Sequence, residues 1–159
     1  MFMAPRKHTP KTLRDDARDV LRLCAGINIR LAARRITRFL ETRMEETGLS
    51  VAQFGLMSQI AAAPDDTIAA LAERAGLDQS TLSRNLRGLE KAGLVEIALV
   101  EKDLRRRAVW LTETGARRLE AAIPVWRQGH EELARLIGPA RLRRIAEIAA
   151  SAEKLDGEK

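Results

Sequence analysis

Apolar residues recur every three or four positions through most of the chain, and one short stretch of strict alternation interrupts them. The first helical run extends from Asp15 to about Thr47 without a proline, and Gly48 is suited to stop it. Its apolar side changes along its length. Val20, Leu23, Ile27 and Leu31 share one side, whereas Ile29, Ala32, Ile36, Phe39 and Leu40 lie roughly opposite. A helix buried on different sides along its length bridges two packing environments. A second helix starts at Ser50, an N-cap with Gln53 three residues on, flanked by Leu49 and Phe54 at hydrophobic-staple positions, and it runs to about Ala62. A short helix from Thr67 to Ala75 turns Ile68, Leu71 and Ala72 inward and stops at Gly76. Leu77 is expected to be buried, and Asp78 caps a further helix with Leu82, Leu86 and Leu89 in one seam, ended by Gly93.

The alternation follows. Val95, Ile97 and Leu99 alternate with Glu96 and Ala98, and Val109 and Leu111 offer a second run, with a charged tip from Glu101 to Arg107 between them. That pattern predicts a two-stranded hairpin. Thr112 caps the next helix, in which Leu119, Ile123, Trp126, His130, Leu133 and Ile137 form a heptad-like seam kinked by Pro124. Pro139 opens a last amphipathic helix carrying Leu142, Ile145, Ile148, Ala149, Ala152 and Leu155. The expected fold is mainly α: a winged helix-turn-helix with a two-stranded wing and long N- and C-terminal dimerisation helices. Residues 1–14 are expected to form a flexible basic arm, 15–48 and 113–159 a helical dimerisation region, and 49–112 the winged helix-turn-helix region. The terminal helices carry more apolar surface than three short helices and a hairpin can cover, which implies a homodimer; the alternative is a coiled hairpin within one chain.

Composition narrows the class. The 159 residues suit one domain with an oligomerisation extension, and 45% hydrophobic against 31% charged residues suits a folded, soluble chain. Aromatics make up 3% and Tyr is absent, so aliphatic side chains must build the core. A net charge of +6 suits a polyanionic partner. Cys24 is the only cysteine, which excludes an intrachain disulfide and a cysteine-based metal site. No apolar run approaches the roughly 20 residues of a membrane span, and no signal core follows the basic N-terminus, so a cytoplasmic protein without membrane contact is expected.

The helix from Asp78 onward carries the chemistry. Opposite its leucine seam lie Ser80, Arg84, Arg87 and Lys91, with Thr81, Ser83 and Gly88 on the flanks and Gln79 in the first turn. Short hydroxyl side chains allow close approach to a DNA major groove, and arginine grips guanine or phosphate with two bonds. The N-terminus of such a helix also favours phosphate. The hairpin tip adds Lys102, Arg105, Arg106 and Arg107, suited to the electronegative minor groove, and Asp103 is placed to pair with Arg105 across the turn. The bland alternative for both features is a solvated charged face.

The segment "LAERAGLDQSTLSRNLRGLEKAGLV", followed by Asp103, Arg105, Leu111, Thr112 and Gly115, resembles the winged-helix transcription regulators of the MarR (multiple antibiotic resistance regulator) family. The resemblance implies a triangular homodimer that presents one recognition helix and one wing per subunit to double-stranded DNA. It also implies that Ser80, Thr81, Ser83, Arg84 and Arg87 occupy recognition-helix contact positions, and that Asp103 and Arg105 form the wing's acid–arginine pair. Two-fold symmetry predicts a pseudo-palindromic operator with half-site centres roughly 10 bp apart. The expected function is a homodimeric repressor released by a small-molecule effector, with Phe54, Met57 and Trp110 as candidate effector-pocket residues.

Other chemistry is less well supported. Cys24 is a candidate thiol sensor, but Leu23 and Ile27 share its apolar side and no second cysteine resolves it, so a structural cysteine is the plainer account. His130 suits a core or interface position, since His8 is the sole other imidazole. Trp110 and Trp126 are expected to fill core space. Without a phosphate loop, nucleophile–base spacing or metal cluster, neither an enzyme nor a cofactor is expected. The rival reading is a winged-helix protein-interaction module without DNA binding.

Overall fold

The computed structural model describes residues 10–63, 67–100 and 103–155, with side chains described for these except 10–11, 99–100, 103–107 and 153. Contacts divide the chain into two units, Met1–Arg38 and Phe39–Lys159.

In the first unit the expected single helix is two. α1 spans Pro10–Leu23 and α2 spans Ala25–Met44, with Cys24 between them. The cause is Asn28, whose side-chain amide donates to the carbonyls of Leu21, Arg22 and Cys24 at 3.0–3.3 Å. A side chain that occupies carbonyls the helix would otherwise use loosens the ladder at that turn. α1 also begins earlier than periodicity suggests, because Pro10 is preorganised for a first helical position; residues 1–9 of the expected arm lie outside the described residues. Two exposed ion pairs, Arg18–Asp15 and Arg22–Asp19, support α1 along its own length. Its apolar side chains are uncovered: Leu13, Val20, Leu21 and Leu23 are all more than half exposed.

In the second unit α2 ends in a 3-10 turn, Glu45–Thr47, and Gly48 takes φ 68°, the left-handed conformation that the expected stop requires. α3 (Val51–Ala62) starts with the predicted capping box: Ser50 accepts from the Gln53 amide, and Gln53 accepts from the Ser50 amide. Glu41 takes the Val51 amide at 3.0 Å, so a carboxylate already occupies the positive end of α3. α4 (Ile68–Ala75) and α5 (Gln79–Lys91) follow, capped by Thr67 and Asp78 and separated by Gly76 at φ 61°. Leu77, expected inside, is half-buried in that turn.

The hairpin pairs β1 (Val95–Val100) with β2 (Asp103–Leu111) in antiparallel register, Val95 opposite Leu111 and Ile97 opposite Val109. β2 runs through most of the charged segment expected as tip, because ladder bonds between main chains require no apolar side chains. Glu101 and Lys102 lie outside the described residues. The expectation that Trp110 fills the core is overturned. The two-residue period that turns Val109 inward turns Trp110 outward beside Glu96, where it is 41% exposed. Thr67 bridges to Ala108, tying the start of α4 to the wing.

α6 (Glu113–Ile137) is capped by Thr112 and runs on through Pro124; α7 (Pro139–Ala152) follows and passes into a 3-10 turn, Glu153–Leu155. The core gathers Met44, Met57, Ile60, Leu71, Leu82, Leu86, Leu89 and Val109, each fully buried, with Leu119 and Ala122 of α6. Phe54 joins it and stacks on Trp126 at 5.9 Å, and Trp126 meets His130 at 5.1 Å. α7 has no buried residue, and Ile148 faces solvent. The second unit is thus a winged helix-turn-helix on a mainly α frame. No helix among the described residues is long and apolar enough to cross a membrane.

Candidate nucleic-acid interface

Three fully buried leucines attach α5 to the core: Leu82, Leu86 and Leu89. Burying each contributes about 1.5–3 kcal/mol relative to exposure, so the orientation of α5 is firmly held. That orientation decides what faces outward. Gln79, Ser80, Arg84, Arg87, Gly88 and Lys91 are exposed, and Thr81 and Ser83 are half-buried on the flanks, as helical spacing predicts. A groove of about 320 Å³ lies between α5 and β1, lined by Ile68, Leu86 and Ile97 together with Ser83, Arg87 and Glu90.

The first turn of α5 is more ordered than its spacing suggested. One oxygen of Asp78 accepts from the Ser80 hydroxyl at 2.6 Å and from the Thr81 amide at 2.8 Å, and the other accepts from the Thr81 hydroxyl at 2.9 Å. The Ser80 hydroxyl, then the Thr81 amide and hydroxyl, hold the Asp78 carboxyl well below the usual carboxylate range. Arg84 folds back along the helix, donating to the Ser80 carbonyl and the Thr81 hydroxyl at 3.4 Å. The positive end of α5, expected to attract phosphate, is therefore occupied by a carboxylate of its own chain. Helical spacing alone marks Asp78 as a cap. The signal for its larger role is the D-x-S-T spacing, which puts both hydroxyls in the first turn within reach of one carboxylate.

The backbone places Asp103, Arg105, Arg106 and Arg107 in the first half of β2. Their side chains, and so the expected Asp103–Arg105 pair, lie outside the described side chains, as does Lys102 altogether. The base of the hairpin is well defined. The Thr112 hydroxyl donates to the Gly93 carbonyl at 2.7 Å and accepts from the Gly115 amide at 2.9 Å, while the Thr112 amide donates to the Leu94 carbonyl at 3.1 Å. One threonine thus joins the end of α5, the end of the wing and the start of α6. Gly115 makes this possible, since a Cβ there would overlap the Leu94 carbonyl.

The candidate effector residues are not alike. Phe54 and Met57 are core residues, whereas Trp110 is on the surface of the wing. Cys24 is half-buried at the α1–α2 break. Among the described residues no cluster of His, Cys, Asp or Glu could hold a metal ion.

A MarR-family sequence model matches residues 47–106. The transcriptional regulator HosA of Escherichia coli O111:H- is 41% identical over 91 residues, which span 57% of this chain and 67% of that one. HosA sequences of other E. coli strains are 40% identical over 84 residues, 62% of their length. The M. tuberculosis transcriptional regulator MOSR, solved in complex with DNA, superposes with a TM-score of 0.73 at 31% identity, over 83% of this chain and 98% of that one. The transcriptional repressor CouR, bound to a 23-mer DNA duplex, superposes with a TM-score of 0.74 over 83% of this chain and 94% of its own, and at 22% identity it bears on the fold alone.

Proposed function

The chain belongs to the MarR family of transcriptional regulators, and from that membership we propose that it is a homodimeric, sequence-specific DNA-binding repressor released by a small-molecule effector. The observation that carries this is the outer face of α5. Three buried leucines fix the helix, and its outward side presents Ser80, Arg84, Arg87 and Gly88, with Thr81 and Ser83 on the flanks, next to an arginine-rich wing. Gln79, Ser80, Thr81, Ser83, Arg84 and Arg87 would enter the major groove. Lys102, Arg105, Arg106 and Arg107 would reach the adjoining minor groove, with Asp103 orienting Arg105. MOSR, a relative at 31% identity, was solved on DNA, which favours this over a protein-interaction module. Uncovered apolar side chains on α1 and on α7 favour a second copy of the chain as the dimer partner.

Two-fold symmetry then brings two α5 helices to a pseudo-palindrome with half-sites about 10 bp apart. An effector that alters the spacing of those helices weakens DNA binding, and by linkage DNA weakens effector binding to the same degree. The test is selection of genomic fragments on the immobilised protein, followed by affinity against salt. A regulator enriches a few discrete fragments, and if it neutralises about six phosphates the log–log slope is close to −5. No enrichment, or a flat salt response, defeats the proposal.

A further inference from the structure

We propose that Asp78 turns the Ser80 hydroxyl into a pure hydrogen-bond acceptor, so that Ser80 selects a base bearing a major-groove amino group, cytosine or adenine, in each half-site. The inference rests on the DNA-binding reading of α5 above. A serine hydroxyl has one hydrogen, and an ionised carboxylate has none to give. At the 2.6 Å contact between Ser80 Oγ and Asp78 Oδ1 the serine must therefore be the donor. Thr81 is committed in the same way to Asp78 Oδ2, and its remaining capacity is met in part by Arg84. Nothing among the described residues donates to Ser80 Oγ, and Ser80 is exposed on the outward side of α5, so its lone pairs face whatever that side meets.

What such an oxygen can recognise is limited. Phosphate oxygens, guanine N7 and O6, and thymine O4 are all acceptors, and against them Ser80 has no hydrogen to offer. Cytosine N4 and adenine N6 are the donors in the major groove. A free serine bonds either kind of group and discriminates little; one whose hydrogen is held elsewhere discriminates between them. Asp78 keeps its charge during the encounter, because the same three hydrogen bonds hold its carboxyl well below the usual range. Asp78 is thus a positioning residue, and Ser80 is the residue that reads.

The experiment uses the full chain and an operator fragment recovered by genomic selection. Adenines are replaced one at a time by purine, and cytosines by 2-pyrimidinone, each of which lacks the amino group. Wild type should lose about fivefold to tenfold in affinity at one position per half-site, the scale of one net hydrogen bond. Ser80→Ala should lose nothing further at that position. Asp78→Gly, a substitution that N-cap positions tolerate, frees both hydroxyl hydrogens. It should bind the amino-lacking and native fragments within about twofold of each other, an effect that mere loss of a helix cap would not produce. Equal sensitivity of Ser80→Ala and wild type at every adenine and cytosine overturns the proposal. So does a Ser80→Ala loss that is uniform across operator and random DNA, the signature of a phosphate contact. Failure of wild type to retain any fragment overturns the DNA-binding reading itself, and this inference with it.

Discussion

Gly115 and Gly88 are both helical glycines, and their surroundings predict opposite outcomes for the same substitution. A Cβ at Gly115 would overlap the Leu94 carbonyl, a backbone atom that cannot swing aside, whereas at Gly88 it would meet nothing within 4 Å. Gly115→Ala must therefore push α6 away from the turn after α5 and strain the Thr112 bonds to Gly93 and Leu94. A loss of about 2 kcal/mol or more is expected. Gly88→Ala relieves a backbone entropy cost and should gain about 0.5–1 kcal/mol. Urea midpoints of the two variants decide the matter, and a stable Gly115→Ala would mean that α6 can move away from Leu94 without cost. Asp78 supplies a prediction in pH. Its folded value is depressed below the ordinary 3.8, so its contribution is fully present above that value and is lost as pH falls through it toward the lower folded value. Thermal melts of wild type should therefore decline more steeply than those of Asp78→Asn as the pH falls below about 4. Parallel curves would show that the carboxylate is no better held in the folded chain than in the unfolded one.

Along α5, inward and outward residues are adjacent in sequence and should separate cleanly by assay. Leu86 is 1% exposed and Arg87 is exposed. Leu86→Ala should cost about 2–5 kcal/mol of stability, and Arg87→Ala no more than about 0.5. Fragment retention should reverse the order: Arg87→Ala impairs it at full stability, while Leu86→Ala retains DNA wherever it remains folded. An Arg87→Ala variant with unimpaired retention would remove α5 from the interface. The two faces were legible in the sequence because a helix period is fixed and the leucine seam sets its phase. The caps at Ser50, Asp78 and Thr112 and the glycines at 48, 76 and 93 were legible for a related reason: each is a local hydrogen-bond or φ requirement that few residue types meet. Other features were hidden because they depend on side chains reaching past their own turn. The α1–α2 break comes from Asn28 reaching back to three carbonyls. The outward Trp110 follows from strand phase, which an aromatic's bulk disguises. The need for glycine at 115 arises from contact with Leu94, 21 positions earlier in the chain, and no local pattern announces it.

For the molecule as a whole, α1 and α7 are the described α-helices on which large apolar side chains stand in water with no buried residue beside them. Leu13, Val20, Leu21 and Leu23 of α1 are 55–68% exposed in the first unit, and Ile148 of α7 is 53% exposed in the second. Covering a side chain of this kind contributes about 1.5–3 kcal/mol when burial is complete, and a stable interface buries roughly 1,200–2,000 Å² in total. None of these residues belongs to the core around Leu82 and Leu86, so a charge placed among them should leave that core intact. We therefore expect Ile148→Glu to keep the wild-type helical circular dichroism and a near-wild-type urea midpoint at low concentration, yet to sediment as a single chain where wild type sediments as a dimer. Its DNA affinity should fall far more than the loss of one side chain would suggest. A monomer engages one half-site, and a dimer engages the second with the first already bound, which raises avidity by about 10²–10⁴. Restoring a dimer through a fused coiled coil would not restore binding unless it also restored the half-site spacing, so the rescue experiment separates simple bivalency from the geometry of two α5 helices. A wild-type chain that sediments as a monomer at micromolar concentration, or an Ile148→Glu variant with unaltered assembly, would place the partner surface elsewhere on the molecule.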